Sequence, residues 1–319
     1  MRNLMKSAWA ASLALAASMS VTPTVSAYAA DDSANAASAI PKPHATQSVT
    51  GGGGVQIAVQ EWGNPDGPPV VFIHALVSSH LGYLPIVAQG PLAENFRLIT
   101  FDNRGHGNSE KPTDMAAYQD GGILADDLAA VIGLAGDQKP IVVAWSIGGV
   151  ILGDYLAKYG DDAIAGAVYL GAGHTLGEAA NPYIGGGFAQ YAAAMMSPDI
   201  AVSVPATIAV SMANTAKPLP PDLFTFGVAT AMVVPPQARA GLVSRSVNHI
   251  SDTLPSVNVP IRFLHGTADQ IVQPVSSVDA AAAAPNGEYV AIEGIGHAPS
   301  FEAPAEVISA ILAIAKAAK

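Results

Sequence analysis

Short apolar runs alternate with stretches of helical periodicity through most of the chain beyond residue 55. Gly, Pro or polar residues flank the apolar runs, a pattern typical of strands buried on both faces of a parallel sheet. These predicted strands are Val70 to Ile73, Arg97 to Phe101, Ile141 to Trp145, Ala165 to Leu170, Ile261 to Leu264 and Glu288 to Ile292. Helices are predicted between several of them, at Ile123 to Leu134, Ile147 to Tyr159 and Ala303 to Ala315. The alternation predicts an α/β fold with a doubly wound, mostly parallel sheet.

The patterned region opens with a glycine run. Alternating apolar and polar residues from Val55 to Gln60 predict a strand, and Gly51 to Gly54 suit a hairpin turn before it. A phosphate-binding loop is disfavoured, because a strand rather than a helix follows the glycines. Residues 30–50 are rich in Ala, Ser and Pro, which predicts a flexible spacer. The core is therefore predicted to comprise residues 51–170 and 256–319.

Residues 171–255 break the alternation of strands and helices. This segment is rich in Ala, Met, Pro and Gly, with helix-like pieces around Phe188 to Met196 and Gln237 to His249. A structureless loop of such length is improbable in a compact domain. We therefore predict a helical lid inserted into the core, and its apolar bias predicts a small, apolar substrate.

The first residues have the features of a secretory signal. Arg2 and Lys6 precede an apolar run from Ala8 to Val21, and a small-residue stretch ends in Ala27-Tyr28-Ala29. A signal peptide over residues 1–29, cleaved near Ala29, predicts a secreted or periplasmic protein. An uncleaved membrane anchor is the alternative, but the run is shorter than the roughly 20 residues that span a bilayer.

Composition excludes several classes of chemistry. The chain contains no cysteine, so disulfides, thiolate metal sites and cysteine nucleophiles are excluded. Removal of the signal would take the formal charge from −11 to −13, and no run of Lys or Arg occurs. This charge argues against nucleic acid as a partner and against stable anchoring to a membrane. The histidines show no metal-ligand spacing, so neither a metal nor another cofactor is predicted. The sequence does not indicate an oligomeric state.

The strongest local signal for chemistry surrounds Ser146. A buried strand runs into this serine, and small residues and then a helix follow it, which is the form of a nucleophile elbow. Such a sharp turn requires small residues two positions before and after the serine, and these are Ala144 and Gly148. The helix beginning at Ile147 would direct free N–H groups at the hydroxyl, so the Ile147 amide is the predicted oxyanion donor.

A weakly nucleophilic serine needs a base, and the base needs a carboxylate to orient it. Asp269 follows the strand ending at Leu264, and His297 follows the next strand. The order Ser, Asp, His places each member at the carboxyl end of its own strand, where ligands bind in open α/β sheets. Asp252 and Asp154 are alternatives to Asp269, although Asp154 is predicted to lie inside the helix after the serine.

Two further segments carry a resemblance to a known family. Val70 to Leu76 resembles a strand followed by His-Gly, and Phe101 to Ser109 resembles an Asp-x-Arg-Gly-x-Gly-x-Ser loop. With the Ser-Asp-His order, residues 55–315 are similar to the α/β-hydrolase family, in its branch of lidded esterases, lactonases and cofactor-free haloperoxidases. The resemblance implies that the Leu76 amide is a second oxyanion donor and that no cofactor is needed. It implies loop-tying, structural roles for His74, Asp102, Arg104 and His106.

The chain departs from the family pattern at two positions. Ala144 replaces the usual first Gly of the elbow, which is a mild change. Ala75 replaces the usual Gly after His74 and adds a methyl group where backbone approaches substrate. That methyl would narrow the oxyanion pocket or rotate the Leu76 amide away from it.

We therefore expect a serine hydrolase, specifically a carboxylesterase, that acts on carboxylic esters or lactones through an acyl-enzyme. A cofactor-free haloperoxidase or perhydrolase on the same triad is one alternative. Another is a non-catalytic ligand-binding protein, which the Ala75 departure favours and the intact triad opposes. Because a fold does not fix function, epoxide opening and C–C cleavage also stay open. A haloalkane dehalogenase is disfavoured because its nucleophile would be Asp.

Overall fold

The computed structural model describes residues 42–88 and 90–318. The predicted signal peptide and the greater part of the predicted spacer lie outside the described residues. The strands are β1 (Ala45–Thr50), β2 (Gln56–Gly63), β3 (Pro69–Ile73), β4 (Arg97–Phe101), β5 (Ile141–Trp145), β6 (Gly166–Leu170), β7 (Thr175–Leu176), β8 (Val247–Asn248), β9 (Ile261–Gly266) and β10 (Gly287–Ile292).

Helices and short 3-10 turns connect the strands. The α-helices are α1 (Leu84–Val87), α2 (Pro91–Asn95), α3 (Gly121–Ile132), α4 (Gly148–Tyr159), α5 (Gly186–Ala189), α6 (Ala192–Met195), α7 (Ile200–Ala213), α8 (Pro221–Met232), α9 (Pro236–Val243), α10 (His249–Asp252), α11 (Val275–Ala283), α12 (Pro299–Glu302) and α13 (Pro304–Ala317). Over the described ranges, none of these helices is long and apolar enough to cross a bilayer.

Eight strands form one sheet in the order β1-β2-β4-β3-β5-β6-β9-β10. Strand β2 pairs antiparallel with both β1 and β4. The remaining neighbours in this sheet, in the order β4-β3-β5-β6-β9-β10, all pair parallel. The predicted doubly wound, mostly parallel α/β fold is therefore confirmed. Because parallel strands end at the same edge, the loops after β3, β5, β6, β9 and β10 converge there.

Both faces of the sheet are buried by helices. Val142 of β5 packs in a core cluster with Leu128 of α3 and Leu152 of α4. Its neighbour Val143 packs in the cluster on the opposite face with Ile311 of α13. Successive strand residues point to opposite faces, so a strand covered on both faces must be apolar throughout. This is why β5 has the continuous apolar sequence that predicted it.

The predicted spacer is wrong over its last residues. Residues 45–50 form β1, which pairs antiparallel with β2 from Ala45 opposite Glu61 to Thr50 opposite Gln56. The side chains of this edge strand are almost all exposed. An exposed edge strand has no buried face to require alternating apolar residues, so its sequence carries no strand signal. The glycines after it form the predicted hairpin turn, in which the Gly51 amide donates to the Val55 carbonyl at 2.8 Å.

The segment between β6 and β9 contains helices α5 to α10 and the two-stranded ribbon β7-β8. The helix predicted around Phe188 to Met196 is two short helices, α5 and α6, and the second predicted helix ends at Val243, before the ribbon. The longest helices of the segment, α7 and α8, had no clear sequence signal. Buried Arg239 of α9 connects the helices of this segment. Its guanidinium donates to the carbonyls of Val234, Ala231 and Met195 and to the hydroxyl of Thr207.

Candidate active site

Ser146 lies at a strained turn between β5 and α4. Its φ angle is +56°, in the left-handed region that costs a non-glycine residue roughly 1–3 kcal/mol. The turn requires small neighbours: a Cβ atom on Gly148 would lie 2.7 Å from the carbonyl oxygen of Ile73. Ala144, the other small neighbour, is completely buried. The strand, the strained serine and the following helix form the elbow predicted from the sequence.

His297 reaches Ser146 from the loop between β10 and α12. Its Nε2 atom lies 2.9 Å from the Ser146 hydroxyl oxygen. Two hydrogen bonds fix the backbone of the histidine: its amide donates to the carbonyl of Asn214 at 2.7 Å, and its carbonyl accepts from the Trp145 indole N–H at 2.6 Å. The backbone of His297 is therefore held both by the lid segment, residues 171–255, and by the strand that ends just before the serine.

Asp269 holds the other nitrogen of the histidine. Its Oδ2 atom lies 2.7 Å from His297 Nδ1, and its Oδ1 accepts from the amides of Ile271 and Val272 at 2.8 and 3.0 Å. Burial raises the pKa of the Asp269 carboxyl, but the charge of His297 and hydrogen bonds from His265 and His297 lower it more, so that the pKa lies well below its usual range. An ionised carboxylate only accepts, so Nδ1 carries the hydrogen and Nε2 is free to accept from the serine.

The two alternative carboxylates do not contact His297. Asp154 lies in α4, where its Oδ1 pairs with Arg245 and with Nε2 of His249. Asp252 is exposed at the end of α10 and accepts from the Ser251 hydroxyl. Of the three acidic residues considered, the structure brings only Asp269 into contact with the histidine.

The predicted oxyanion donors are the backbone amides of Leu76 and Ile147. Leu76 and Ile147 both line the same cavity as the serine. Ile147 immediately precedes α4, and neither its amide nor that of Leu76 donates to an acceptor among the described residues. Val77, which follows Leu76 in the loop after β3, has a φ angle of +50°, and this is an outlier for a β-branched residue. Ala75, the departure from the family pattern, is buried and also lines the cavity.

The loop carrying Leu76 is supported by His74. Nε2 of His74 accepts from the Asn103 amide at 2.9 Å, and Nδ1 lies 2.8 Å from the Ala75 carbonyl oxygen. Burial lowers the pKa of His74 to about 4, so the ring is neutral near neutral pH. Asp102 supports the same region, accepting from the amides of His80 and Asn108.

The other residues of the Asp-x-Arg-Gly loop also tie loops together. Arg104 forms a two-bond pair with Asp127 at 2.6 and 2.7 Å and donates to the carbonyl of Gly52. His106 lies 3.0 Å from the Arg104 carbonyl, and burial lowers its pKa to about 3. Neither residue lines the cavity, and nor do His74 and Asp102. Their contacts agree with the structural roles expected for all four.

A cavity of about 500 Å³ is lined by Ser146, by His297 and by many residues of the segment between β6 and β9. It has the size typical of a small-molecule site. No Asp, Glu, Lys or Arg lines it within the described part of the chain. Its apolar lining includes Trp145, Met195, Met196, Leu223 and Phe226.

Sequence reasoning missed two residues that contact the site from behind. His265 belongs to no recognisable sequence motif, yet its Nε2 lies 3.0 Å from Asp269 Oδ2. Glu302 had not been singled out, and its carboxylate accepts from the amides of Ala216 and Gly296. No motif marks these contacts, because they depend on how neighbouring loops fold. Over the described residues, no group of His, Asp or Glu is arranged to hold a metal ion.

Residues 68–304 match the family model described as alpha/beta hydrolase fold, so the chain belongs to the α/β-hydrolase family. This confirms the family predicted from the motifs.

The matching curated proteins differ in how much of their length they share with the chain. "Probable oxidoreductase EphD" of Mycobacterium tuberculosis is 42% identical over 111 residues, which are 34% of this chain and 18% of that protein. "Bifunctional esterase/perhydrolase DCH" of Acinetobacter calcoaceticus is 27% identical over 276 residues, covering 80% of this chain and 94% of that protein. The first match thus spans under a fifth of its relative, whereas the second spans nearly all of it.

Among solved structures, a putative aryl esterase from Burkholderia cenocepacia is similar over almost its entire length. The TM-score is 0.80 at 32% sequence identity, covering 86% of this chain and 99% of that chain. The similarity therefore includes the lid segment as well as the sheet.

Proposed function

We propose that the chain is a serine hydrolase, a carboxylesterase that cleaves carboxylic esters or lactones through an acyl-enzyme. The observation that carries this proposal is the chain of hydrogen bonds from Ser146 through His297 to Asp269, with Ser146 and His297 in the lining of a largely apolar cavity. The similarity to an aryl esterase and to an esterase/perhydrolase supports the same reaction class.

In the acylation step, Ser146 Oγ attacks the carbonyl carbon while His297 Nε2, 2.9 Å away, accepts its proton. The carboxylate of Asp269 stabilises the resulting imidazolium. The amides of Leu76 and Ile147 donate hydrogen bonds to the negative charge that develops on the carbonyl oxygen. His297 then donates its proton to the departing alkoxide, which leaves as an alcohol, and the acyl group remains on the serine.

Deacylation repeats the sequence with water. His297 removes a proton from water, hydroxide adds to the acyl carbon, and the proton returns to Ser146 Oγ as the carboxylic acid leaves. In a lactone the alcohol and the acid are parts of one molecule, so the product is a hydroxy acid. Neither step requires a redox partner.

The cavity favours uncharged, apolar substrates. Its lining among the described residues carries no ionised side chain apart from a transiently protonated His297. A charged substrate group placed there would lose its hydration with nothing to replace it, at a cost of several kcal/mol. We therefore propose esters whose acyl and alkyl groups are both uncharged.

Perhydrolysis is a second candidate, favoured by the similarity to the esterase/perhydrolase over 80% of the chain. In this reaction hydrogen peroxide replaces water in deacylation, and the product is a peracid. Everything up to the acyl-enzyme is unchanged. The test measures turnover of one ester in water with and without added peroxide, and it traps the peracid that forms. The amounts of carboxylic acid and peracid give the partition between hydrolysis and perhydrolysis.

The test of the hydrolase uses p-nitrophenyl esters of increasing acyl length with the wild-type protein and Ser146→Ala. Hexanoate is compared with the adipate monoester, which has an acyl chain of equal length ending in a carboxylate. A fluorophosphonate probe followed by mass spectrometry identifies the reactive residue. Ser300→Ala is the matched control, since Ser300 is buried three positions from His297 and lies outside the cavity lining.

We expect the probe on Ser146, chain-length-dependent turnover, and strong preference for hexanoate over the adipate monoester. Ser146→Ala should lose label and turnover, and Ser300→Ala should keep both. A folded wild-type protein that neither reacts with the probe nor hydrolyses any ester would support the ligand-binding alternative instead. Equal rates for hexanoate and the adipate monoester would contradict the proposed substrate class.

We also propose that the protein is exported after cleavage near Ala29. Expression in a bacterial host, cell fractionation and N-terminal sequencing test this. Recovery in the periplasm or medium with an N-terminus close to residue 30 is expected. An intact N-terminus in the cytosolic or membrane fraction would overturn it.

A further inference from the structure

Asp269 has a second histidine beside it, on the side away from His297. His265 is the fifth residue of β9 and is completely buried. Its Nε2 lies 3.0 Å from Asp269 Oδ2 and 3.0 Å from the Val272 carbonyl oxygen. Its Nδ1 lies 2.7 Å from the hydroxyl of Ser277 in α11. One ring thus joins a strand, the loop that follows it and the next helix.

The neighbours of the ring fix which nitrogen carries hydrogen. A backbone carbonyl and a carboxylate can only accept, so Nε2 of His265 is the donor. Its one hydrogen bonds to the carbonyl of Val272 and lies against the Oδ2 atom of Asp269. In the neutral ring Nδ1 is unprotonated and accepts from the Ser277 hydroxyl. Every polar atom of the buried ring then has a partner, as burial requires.

Val272 connects this ring to the carboxylate a second time. Its amide donates to Asp269 Oδ1 at 3.0 Å, while its carbonyl accepts from His265. The residue that orients one oxygen of the carboxylate is therefore held by the same ring that lies against the other oxygen. Without the ring, the Val272 carbonyl and Asp269 Oδ2 would both lose a neighbouring donor in a buried place.

We propose that His265 is a positioning residue for Asp269, which fixes the carboxylate through Val272 and shares its Oδ2 with His297. The inference rests on the proposed function, in which Asp269 orients the base. Catalysis is sensitive to such placement, since a displacement of about 1 Å can cost roughly a hundredfold in rate.

The sharing of Oδ2 also affects proton affinity at the base. A donor next to Oδ2 reduces the negative charge that the oxygen presents to His297. Removing the donor therefore makes the carboxylate attract the protonated ring of His297 more strongly. Among the described residues, Asp269 faces His265 directly, and His174 packs against Phe263 of the same strand. Two further titratable groups act on Asp269: His297, which bonds to its Oδ2, and Glu302, whose pKa is raised by burial and by the charge of Asp269.

The test compares His265→Phe, which removes both nitrogens, with His265→Gln, whose amide can donate to Val272 and accept from Ser277. Ser277→Ala keeps the ring but removes the hydroxyl that donates to its Nδ1. His174→Phe is the matched control, because His174 is also a buried histidine near β9, but its Nε2 has no partner among the described residues. Thermal melting checks that each variant folds.

Turnover of a p-nitrophenyl ester gives kcat, KM and the pH profile of kcat/KM. For His265→Phe we expect kcat to fall between about tenfold and about a hundredfold with KM little changed. The acid limb of kcat/KM should move up by about one pH unit. His265→Gln should recover most of both properties, and Ser277→Ala should show a smaller change in the same direction. His174→Phe should keep the pH profile of the wild type.

A second readout does not depend on turnover. Nitrogen-15 NMR of labelled histidines follows the titration of His297 directly, in the wild type, His265→Phe and His265→Gln. A higher midpoint in His265→Phe, reversed in His265→Gln, supports the inference even if no ester is hydrolysed. Absence of turnover in the wild type would instead count against the proposed function alone. A folded His265→Phe with an unchanged His297 midpoint, or with unchanged kcat in an active enzyme, would overturn the positioning role.

Discussion

The carbonyl oxygen of Asn214, at the end of lid helix α7, accepts a 2.7 Å hydrogen bond from the backbone amide of His297. The lid loop and the histidine loop are also joined by Glu302, whose carboxylate accepts from Ala216 on one and Gly296 on the other, at 2.7 and 3.0 Å. The approach is close, since a Cβ on Gly296 would lie 2.6 Å from the Ala216 nitrogen. The position of His297 is therefore coupled to the position of the lid segment.

Replacing Glu302 should uncouple the two loops. Glu302→Ala leaves two amides without their acceptor, so we expect kcat to fall by about tenfold or more while the acyl-length preference is retained. Steady-state kinetics on the p-nitrophenyl series measures this. Glu306→Ala, at an exposed position on α13, is the control and should have no effect. Wild-type kcat in a folded Glu302→Ala protein would mean that the loops hold each other without the carboxylate.

Ser146 and Asp102 should separate activity from stability. Ser146→Ala should abolish turnover, because it removes the reacting hydroxyl. The melting temperature should stay unchanged or rise, because the substitution leaves the packing around the residue as it was. Asp102→Asn should chiefly reduce stability, since Asp102 is buried and accepts from His80 and Asn108. Equal loss of activity in the two variants with unchanged melting of both would contradict this division of roles.

The contribution of Asp102 should depend on pH. Burial raises its pKa, but His80 and hydrogen bonds to the carboxylate lower it more, to about 2. A pKa below the unfolded value stabilises the fold above about pH 4, and that stabilisation is lost as pH falls through about 2. The difference from wild type in urea unfolding of Asp102→Asn should be about 2 kcal/mol at pH 7 and smaller at pH 3. The same difference at both pH values would argue against an ionised Asp102.

Gly171 is predicted to be intolerant of a side chain. Its φ angle is +49°, and an added Cβ would lie 3.1 Å from Asp269 Oδ2 and 3.3 Å from His297 Nδ1. Gly171→Ala should therefore lower both the melting temperature and kcat, because the methyl group presses on the pair that orients the base. Gly133→Ala, where a Cβ meets no atom within 4 Å, is the control. If both variants kept wild-type kcat, the Asp-His pair would have room to shift that the contacts do not indicate.

Ala75 tests how well the Leu76 amide is placed. Its methyl group lies in the loop that lines the cavity beside Ser146. We expect Ala75→Gly to raise kcat, by at most roughly the hundredfold to thousandfold that one oxyanion donor contributes. The measurement is kcat for a short and a long acyl ester. An unchanged or lower kcat would mean that the amide already points correctly and that the alanine merely stiffens the loop.

The sequence predicted the buried parts of the fold best. Strands β4 and β5 have the predicted bounds, and helix α4 begins within one residue of its prediction. These elements are constrained on several sides, so their apolar patterns are dense. The exposed edge strand β1 was missed for the opposite reason. Helix α7 was missed because it is apolar on most sides and contains Pro205, which breaks the usual pattern.

The candidate site followed the same rule. The sequence predicted Ser146, Asp269 and His297 because each lies next to a strand that its apolar pattern reveals. His265 and Glu302 were not found, because their partners are backbone atoms and side chains on loops whose paths the sequence does not specify. Contacts to carbonyls and amides leave no residue pattern, so only coordinates could indicate them.

Within residues 42–88 and 90–318, Val77 and Ser146 are the two non-glycine residues with positive φ, and both border the cavity. Each is held in a costly conformation by the loops and helix around it. Such conformations persist only while the surrounding packing enforces them, so both residues relax as soon as that packing loosens. Gentle heating should therefore silence the enzyme reversibly, several degrees before the molecule melts.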